Sequence, residues 1–210
     1  MNNKILINKM RDNAELAQAA YGYFHFIGKK FKDKKDEQGN LLTITHTGIL
    51  DLTYKGCKVK DTGLIFDDKL KGDFAPTQAK RFFEKYDLLK HCPNTESGFS
   101  ATLFQNKETK EYTLAIRGTE PSDTGDLKTD ARMALGYIPQ GQYNDMLSFY
   151  NQCKAKYPAI TESKSLNIVG HSLGGALAQM LTLSLCDDKN EANINEVYTF
   201  NSHLESKKAV

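Results

Sequence analysis

Apolar residues at the start of the chain recur at three- and four-residue spacing: Leu6, Met10, Ala14, Leu16, Ala17, Ala20, Tyr21 and Phe24. That period predicts a helix from about Asn3 to Phe26, ending at Gly28. The charged stretch KKFKDKKDEQGN then reads as a solvated loop, because Asp33, Asp36 and Glu37 interrupt its cations. Residues 41–66 carry short β-like runs (LLTITH, ILDLTY, GLIF) parted by Gly48, Gly56 and Gly63, the pattern of a small meander. Residues 76–90 read as a helix with Pro76 in its first turn. GFSATLF and EYTLAIRG, joined by a polar loop from Gln105 to Lys110, read as a hairpin over 98–118.

From there the period alternates. A short helix is expected over 123–135 and a longer one from Tyr143 to Tyr157, with an apolar strand from Ser165 to Val169. An apolar helix from Gly175 to Cys186 and a strand from Val197 to Phe200 complete the series. Short apolar strands alternating with helices imply a parallel sheet covered on both faces. No internal repeat or low-complexity segment interrupts this order.

At 210 residues the chain suits one domain better than two, with 1–90 as an N-terminal elaboration and 98–202 as the core. A net charge of +2 gives no reason to expect nucleic acid as a partner, and 40% hydrophobic residues argue against disorder. None of Cys57, Cys92, Cys153 and Cys186 forms a C-x-x-C pair, so they read as reduced thiols rather than a zinc or redox motif. The opening MNNKILINKMRDNAELAQ lacks the roughly 7–15-residue apolar run of a secretory signal. No stretch approaches the ~20 apolar residues of a membrane span. A cytoplasmic protein is expected, with export lacking a cleaved signal left open.

The chemistry concentrates in SLNIVGHSLGGALAQML, residues 165–181. Gly170-His171-Ser172-Leu173-Gly174 is a G-x-S-x-G motif, placed between an apolar strand and an apolar helix as a nucleophile elbow requires. The Ser must occupy a strained turn so that its hydroxyl projects above the sheet. Gly170 and Gly174 remove Cβ atoms that would collide across that turn, and Gly175 lets the helix pack close to the strand. The positive end of the helix favours an oxyanion nearby. His171 points elsewhere than the Ser172 hydroxyl and is expected to pack or hydrogen-bond rather than act as base. His25, His46 and His91 read as surface or core histidines.

GHSLGG after a short strand, with Ala115-Ile116-Arg117-Gly118-Thr119 about fifty residues upstream, resembles the fungal-lipase-like (class 3) lipases of the α/β-hydrolase superfamily. The similarity covers roughly residues 98–202, including TGDLKTDAR and the strand Val197-Tyr198-Thr199-Phe200-Asn201-Ser202. It implies an α/β-hydrolase-like three-layer sandwich with an N-terminal helical and β-meander extension. It implies too that Ser172 is the nucleophile, and that the N–H of Leu173 gives one oxyanion-hole donor. Thr119 would give the second, against the plainer reading that it caps the next helix. Glu120 to Gly136 would form a lid or its hinge, or else a surface connection, with Asp126 and Asp130 as structural acids.

The α/β-hydrolase order is Ser, then Asp or Glu, then His. Only 38 residues follow Ser172, with Asp187, Asp188, Glu191, Glu196 and Glu205 as acids and His203 as the sole histidine. The resemblance places the base two strands further on, so the sheet is expected to be incomplete at its C-terminal edge. A shortened family member is the favoured explanation, and an unusual base, with His203 the candidate, the other. The function expected is a serine ester hydrolase (lipase, phospholipase or esterase) working through an acyl-enzyme on Ser172. The alternative is a catalytically incomplete remnant or lipid-binding protein lacking the triad acid and base. A serine peptidase or thioesterase would use the same elbow. The expected partner is a lipid or other small ester, with transient contact to a lipid surface left open and no metal or organic cofactor.

Overall fold

The computed structural model describes residues 3–60, 69–119, 140–186 and 193–202. The chain divides into two compact units: Met1–Ala20 with Leu88–Val210, and Tyr21–Asp87.

In the larger unit a five-stranded sheet runs in the order β3 (Tyr86–Cys92), β4 (Ala101–Asn106), β5 (Tyr112–Ile116), β6 (Leu166–His171), β7 (Ile194–Phe200). β4 and β5 form the expected antiparallel hairpin, with Leu103 opposite Leu114. β5, β6 and β7 are parallel, with Leu114 beside Ile168 and Ile168 beside Val197. The sheet is therefore mixed, the hairpin adding an antiparallel edge to a parallel core.

Side chains alternate between faces along each strand. Ala101, Leu103, Leu114, Ile116, Leu166 and Ile168 join one buried cluster with α4 (Gln140–Lys156) and α5 (Leu173–Leu185). α4 contributes Met146, Phe149, Tyr150 and Cys153, and α5 contributes Leu177, Ala178 and Leu181. The other set, Thr102, Phe104, Thr113, Ala115, Asn167 and Val169, is buried as well. α1 (Asn3–Ala19) packs on β5, β6 and β7, and its Lys9 Nζ donates to Glu196 Oε1 of β7 at 2.6 Å. Helices thus cover both faces, a three-layer α/β sandwich.

The chain departs from the expected pattern at four places. KFKDKK is a strand, not a loop: β1 (Lys30–Lys35) pairs antiparallel with β2 (Leu41–Thr43), and only Phe31 of its six residues is buried. Asp36 Oδ1 closes the turn between them by accepting the N–H groups of Gln38 (3.0 Å) and Asn40 (2.8 Å). The run ILDLTY is helical, with α2 at His46–Leu50 and a 3₁₀ turn at Leu52–Tyr54. Thr45 Oγ1 caps α2 by accepting the Gly48 N–H at 3.1 Å, and Asp51 Oδ1 caps the 3₁₀ turn through the Thr53 N–H at 2.8 Å. The helix α3 (Pro76–Lys85) stops at Lys85, and Leu88 and Leu89, expected within it, lie in β3. The first helix is shorter than its period suggested, ending at Ala19 with a separate 3₁₀ turn at Phe24–Phe26. The expected helix over 123–135 and the run GLIF (63–66) lie outside the described residues.

Candidate active site

β5, β6 and β7 run in the same direction, so their carboxyl ends open on one edge of the sheet, where ligands of open α/β sheets bind. β6 ends at His171, and Ser172 follows with φ 55° and ψ −126° before α5 begins at Leu173. A side chain at positive φ is uncommon and costs of order 1–3 kcal/mol, so the surrounding structure must impose it. It does so by hydrogen bonds. The Ser172 N–H donates to Phe200 O of β7 at 2.8 Å, while Ser172 O accepts the N–H of Gly175 at 2.9 Å.

The glycines leave no choice of residue. A Cβ on Gly170 would overlap the Gly174 carbonyl oxygen and lie 2.7 Å from Gly175 N. One on Gly174 would overlap Ile116 O and lie 2.7 Å from Arg117 C. A Cβ on Gly175 would sit 2.6 Å from Ser202 Cβ and 3.2 Å from Gly170 O. Gly175 therefore clears space mainly for the chain leaving β7, and only secondarily for the strand β6. Ser202 is held there by Gln179 Nε2 of α5, which donates to its Oγ at 3.1 Å.

Ser172 is half-buried, and Leu173, the first residue of α5, is buried. Its N–H lies in the first turn, where no intrahelical carbonyl can reach it and the helix dipole is positive. Thr119 is exposed and follows β5 by three residues. Gly174 of the elbow lies close against Ile116 and Arg117, the residues that lead into Gly118 and Thr119. Ser172 and the adjacent Leu173 follow β6, and Thr119 follows the neighbouring parallel strand β5. His203, Asp187, Asp188, Glu191, Glu205, Asp126 and Asp130 lie outside the described residues, while Glu196 is committed to Lys9 and Tyr198.

His171 pairs with Phe200 in the sheet and is half-buried, and that burial holds its imidazole below the usual histidine value. Arg117, in the sequence only a part of the R-G-T segment with no role of its own, follows an apolar strand, and a cation at such a place was itself a signal. It is 5% exposed, and its Nη2 donates to Asn94 Oδ1 at 2.7 Å. All four cysteines are free thiols. Among the described residues no group of three or more His, Cys, Asp or Glu could hold a metal ion, and no helix is long and apolar enough to cross a membrane.

Comparison with known proteins places this arrangement. The chain is 38% identical over 88 residues to an extracellular phospholipase A1 of Serratia liquefaciens, covering 42% of this chain and 24% of that protein. It is 31% identical over 107 residues to an uncharacterized protein of Rickettsia prowazekii, covering 50% of this chain and 28% of that one. The chain thus spans about a quarter of the length of these relatives. The crystal structure of Lip2 lipase from Yarrowia lipolytica superimposes with a TM-score of 0.51 at 18% identity, over 95% of this chain and 60% of that one. That likeness bears on the fold alone, a mixed sheet layered with helices as in that lipase. The family model for the Tle-like phospholipase domain matches residues 77–202, which hold the hairpin, the elbow and the last described strand. With more than half of its length so matched, the chain belongs to the phospholipase-like family, as a Tle-like phospholipase domain.

Proposed function

We propose that this chain carries the acyl-transfer centre of a serine ester hydrolase acting on lipid esters, phospholipids foremost. The observation that supports this most directly is Ser172 held at φ 55° between a buried strand and an apolar helix. Strain of that kind, fixed from both sides by backbone contacts, suits a hydroxyl that must meet a substrate. In the reaction Ser172 Oγ attacks the ester carbonyl as a base removes its proton, and the carbonyl oxygen becomes an oxyanion. The N–H groups of Leu173 and Thr119 stabilise that charge. Collapse expels the alcohol and leaves an acyl-enzyme, which water hydrolyses to the fatty acid. The phospholipid preference draws support from family membership and from the Serratia relative's name.

The test is hydrolysis of p-nitrophenyl butyrate by the chain and by Ser172→Ala. A fall of about 10³-fold or more is expected on losing the nucleophile. Equal rates from two folded proteins would leave a lipid-binding protein that keeps the elbow without turnover.

A further inference from the structure

Arg117 directly follows β5, two residues before Thr119, and is 5% exposed. Arginine does not shed its charge, so such burial is tolerated only where acceptors meet it. Among the described residues, the acceptors of its Nη2 come from one turn. Nη2 donates to Asn94 Oδ1 at 2.7 Å and to Gly98 O at 3.4 Å, and the Arg117 backbone N–H donates to Ser100 O at 3.0 Å. The turn is internally closed, with Gly98 N–H to Thr95 O and Thr95 N–H to Phe99 O both at 2.9 Å, and Gly98 at φ +86°.

The turn's other side is clamped to the start of α4. Thr95 Oγ1 and Ser97 Oγ donate to Asp145 Oδ2 at 2.7 and 2.6 Å, and Gln142 Nε2 donates to Ser97 O at 2.9 Å. α4 is itself rooted in the core by Met146, Phe149, Tyr150 and Cys153. Arg117 is therefore fixed to a rigid helix on one side. On the other its carbonyl lies against Gly174 of the elbow.

We propose that Arg117, through this turn, is a positioning residue that sets where the Thr119 N–H stands relative to Ser172 Oγ. The inference rests on reading Ser172 and Thr119 as the acyl-transfer site. Gly118, the residue between, has wide backbone freedom. With the Arg117 peptide held, Gly118 is the sole permissive link before Thr119. With it released, the donor wanders, and about 1 Å of misplacement costs on the order of 10²-fold in rate.

The experiment measures kcat and KM for p-nitrophenyl butyrate, inactivation by a fluorophosphonate and Tm, in the wild type, Arg117→Lys, Asn94→Ala and Asn94→Asp. Asn94 is exposed, so its variants leave the core intact. Asn94→Ala is expected to lose about tenfold and Arg117→Lys about 10²-fold in kcat, with matching losses in inactivation rate and KM within about twofold. Asn94→Asp, which keeps an acceptor, is expected to restore the wild-type kcat. Wild-type kcat in both Asn94→Ala and Arg117→Lys would overturn the proposal, as would a loss that only tracks the unfolded fraction. A wild type no faster than Ser172→Ala would instead strike the parent reading, and this inference would fall with it.

Discussion

Ser172 and Gly170 are neighbours but one, and they respond oppositely to substitution. Ser172 holds a backbone conformation that costs a side chain about 1–3 kcal/mol. Glycine adopts it freely but loses more entropy on folding, about 0.5–1 kcal/mol. Ser172→Gly is therefore expected to raise stability by roughly 1 kcal/mol in urea denaturation while abolishing Ser172-dependent hydrolysis. Gly170→Ala drives a methyl group into the Gly174 carbonyl and is expected to lower stability by about 3 kcal/mol or more. A neutral Gly170→Ala would mean the turn can widen. At the same end of β6, burial holds His171 below its ordinary 6.5. The folded protein then binds that proton less readily than the unfolded one. Stability is full above the unfolded value and falls as pH drops through it towards the folded pKa. Between about pH 7.5 and 5 the wild-type urea midpoint is expected to drop more than that of His171→Gln. Parallel slopes would place the imidazole equally in water in both states. The elbow was legible because its constraints are local: Gly170, Ser172 and Gly174 restrict one another across four residues. Gly175 and Arg117 were read incompletely because what they meet, Ser202 and Asn94, lies more than twenty residues away.

Elements were legible where burial dictates the pattern. Leu166 to Val169 is buried on both faces and reads as a strand at sight. β1 buries one side chain in six, so backbone pairing with β2, which the residue types do not advertise, makes it a strand. In residues 76–90 the buried positions Ala79, Phe82 and Tyr86, with Leu89 half-buried, keep three- and four-residue spacing straight through the change from helix to strand. Periodicity could not mark that boundary. In 45–54 the caps Thr45 and Asp51 outweighed the β-like composition, an N-terminal signal that was available. α1 raises the question of what holds it to the sheet. Lys9 and Glu196 are 41% and 29% exposed, so their ion pair contributes at most about 1 kcal/mol. Leu16 is 2% exposed, and its truncation leaves a cavity under the helix. Lys9→Met is expected to cost under about 1 kcal/mol and Leu16→Ala about 2–5 kcal/mol in the same urea titration. The reverse ranking would make electrostatics the anchor.

On the scale of the whole molecule, the alternation of strands and helices over 98–202 was enough to give the layered α/β architecture. The resemblance carried by GHSLGG and R-G-T agrees with the family match over residues 77–202. What the sequence concealed was the membership of α1. Its amphipathic period says that one face is covered but not by which strands, and it packs on β5, β6 and β7, whose last member begins at Ile194. This helix thus belongs with strands made much later, and the whole of Tyr21–Asp87 intervenes. During synthesis α1 leaves the ribosome long before any of its partners exists. At roughly 5–20 residues per second, the wait for β7 lasts on the order of 10 seconds or more. Over that interval Leu16, Ala17 and Ala19, buried in the finished protein, face solvent or a chaperone. A nascent chain arrested near residue 120 should therefore resist protease over 21–60 and 69–87 yet be cut within 3–19, and α1 should become protected only once residue 200 has cleared the exit tunnel.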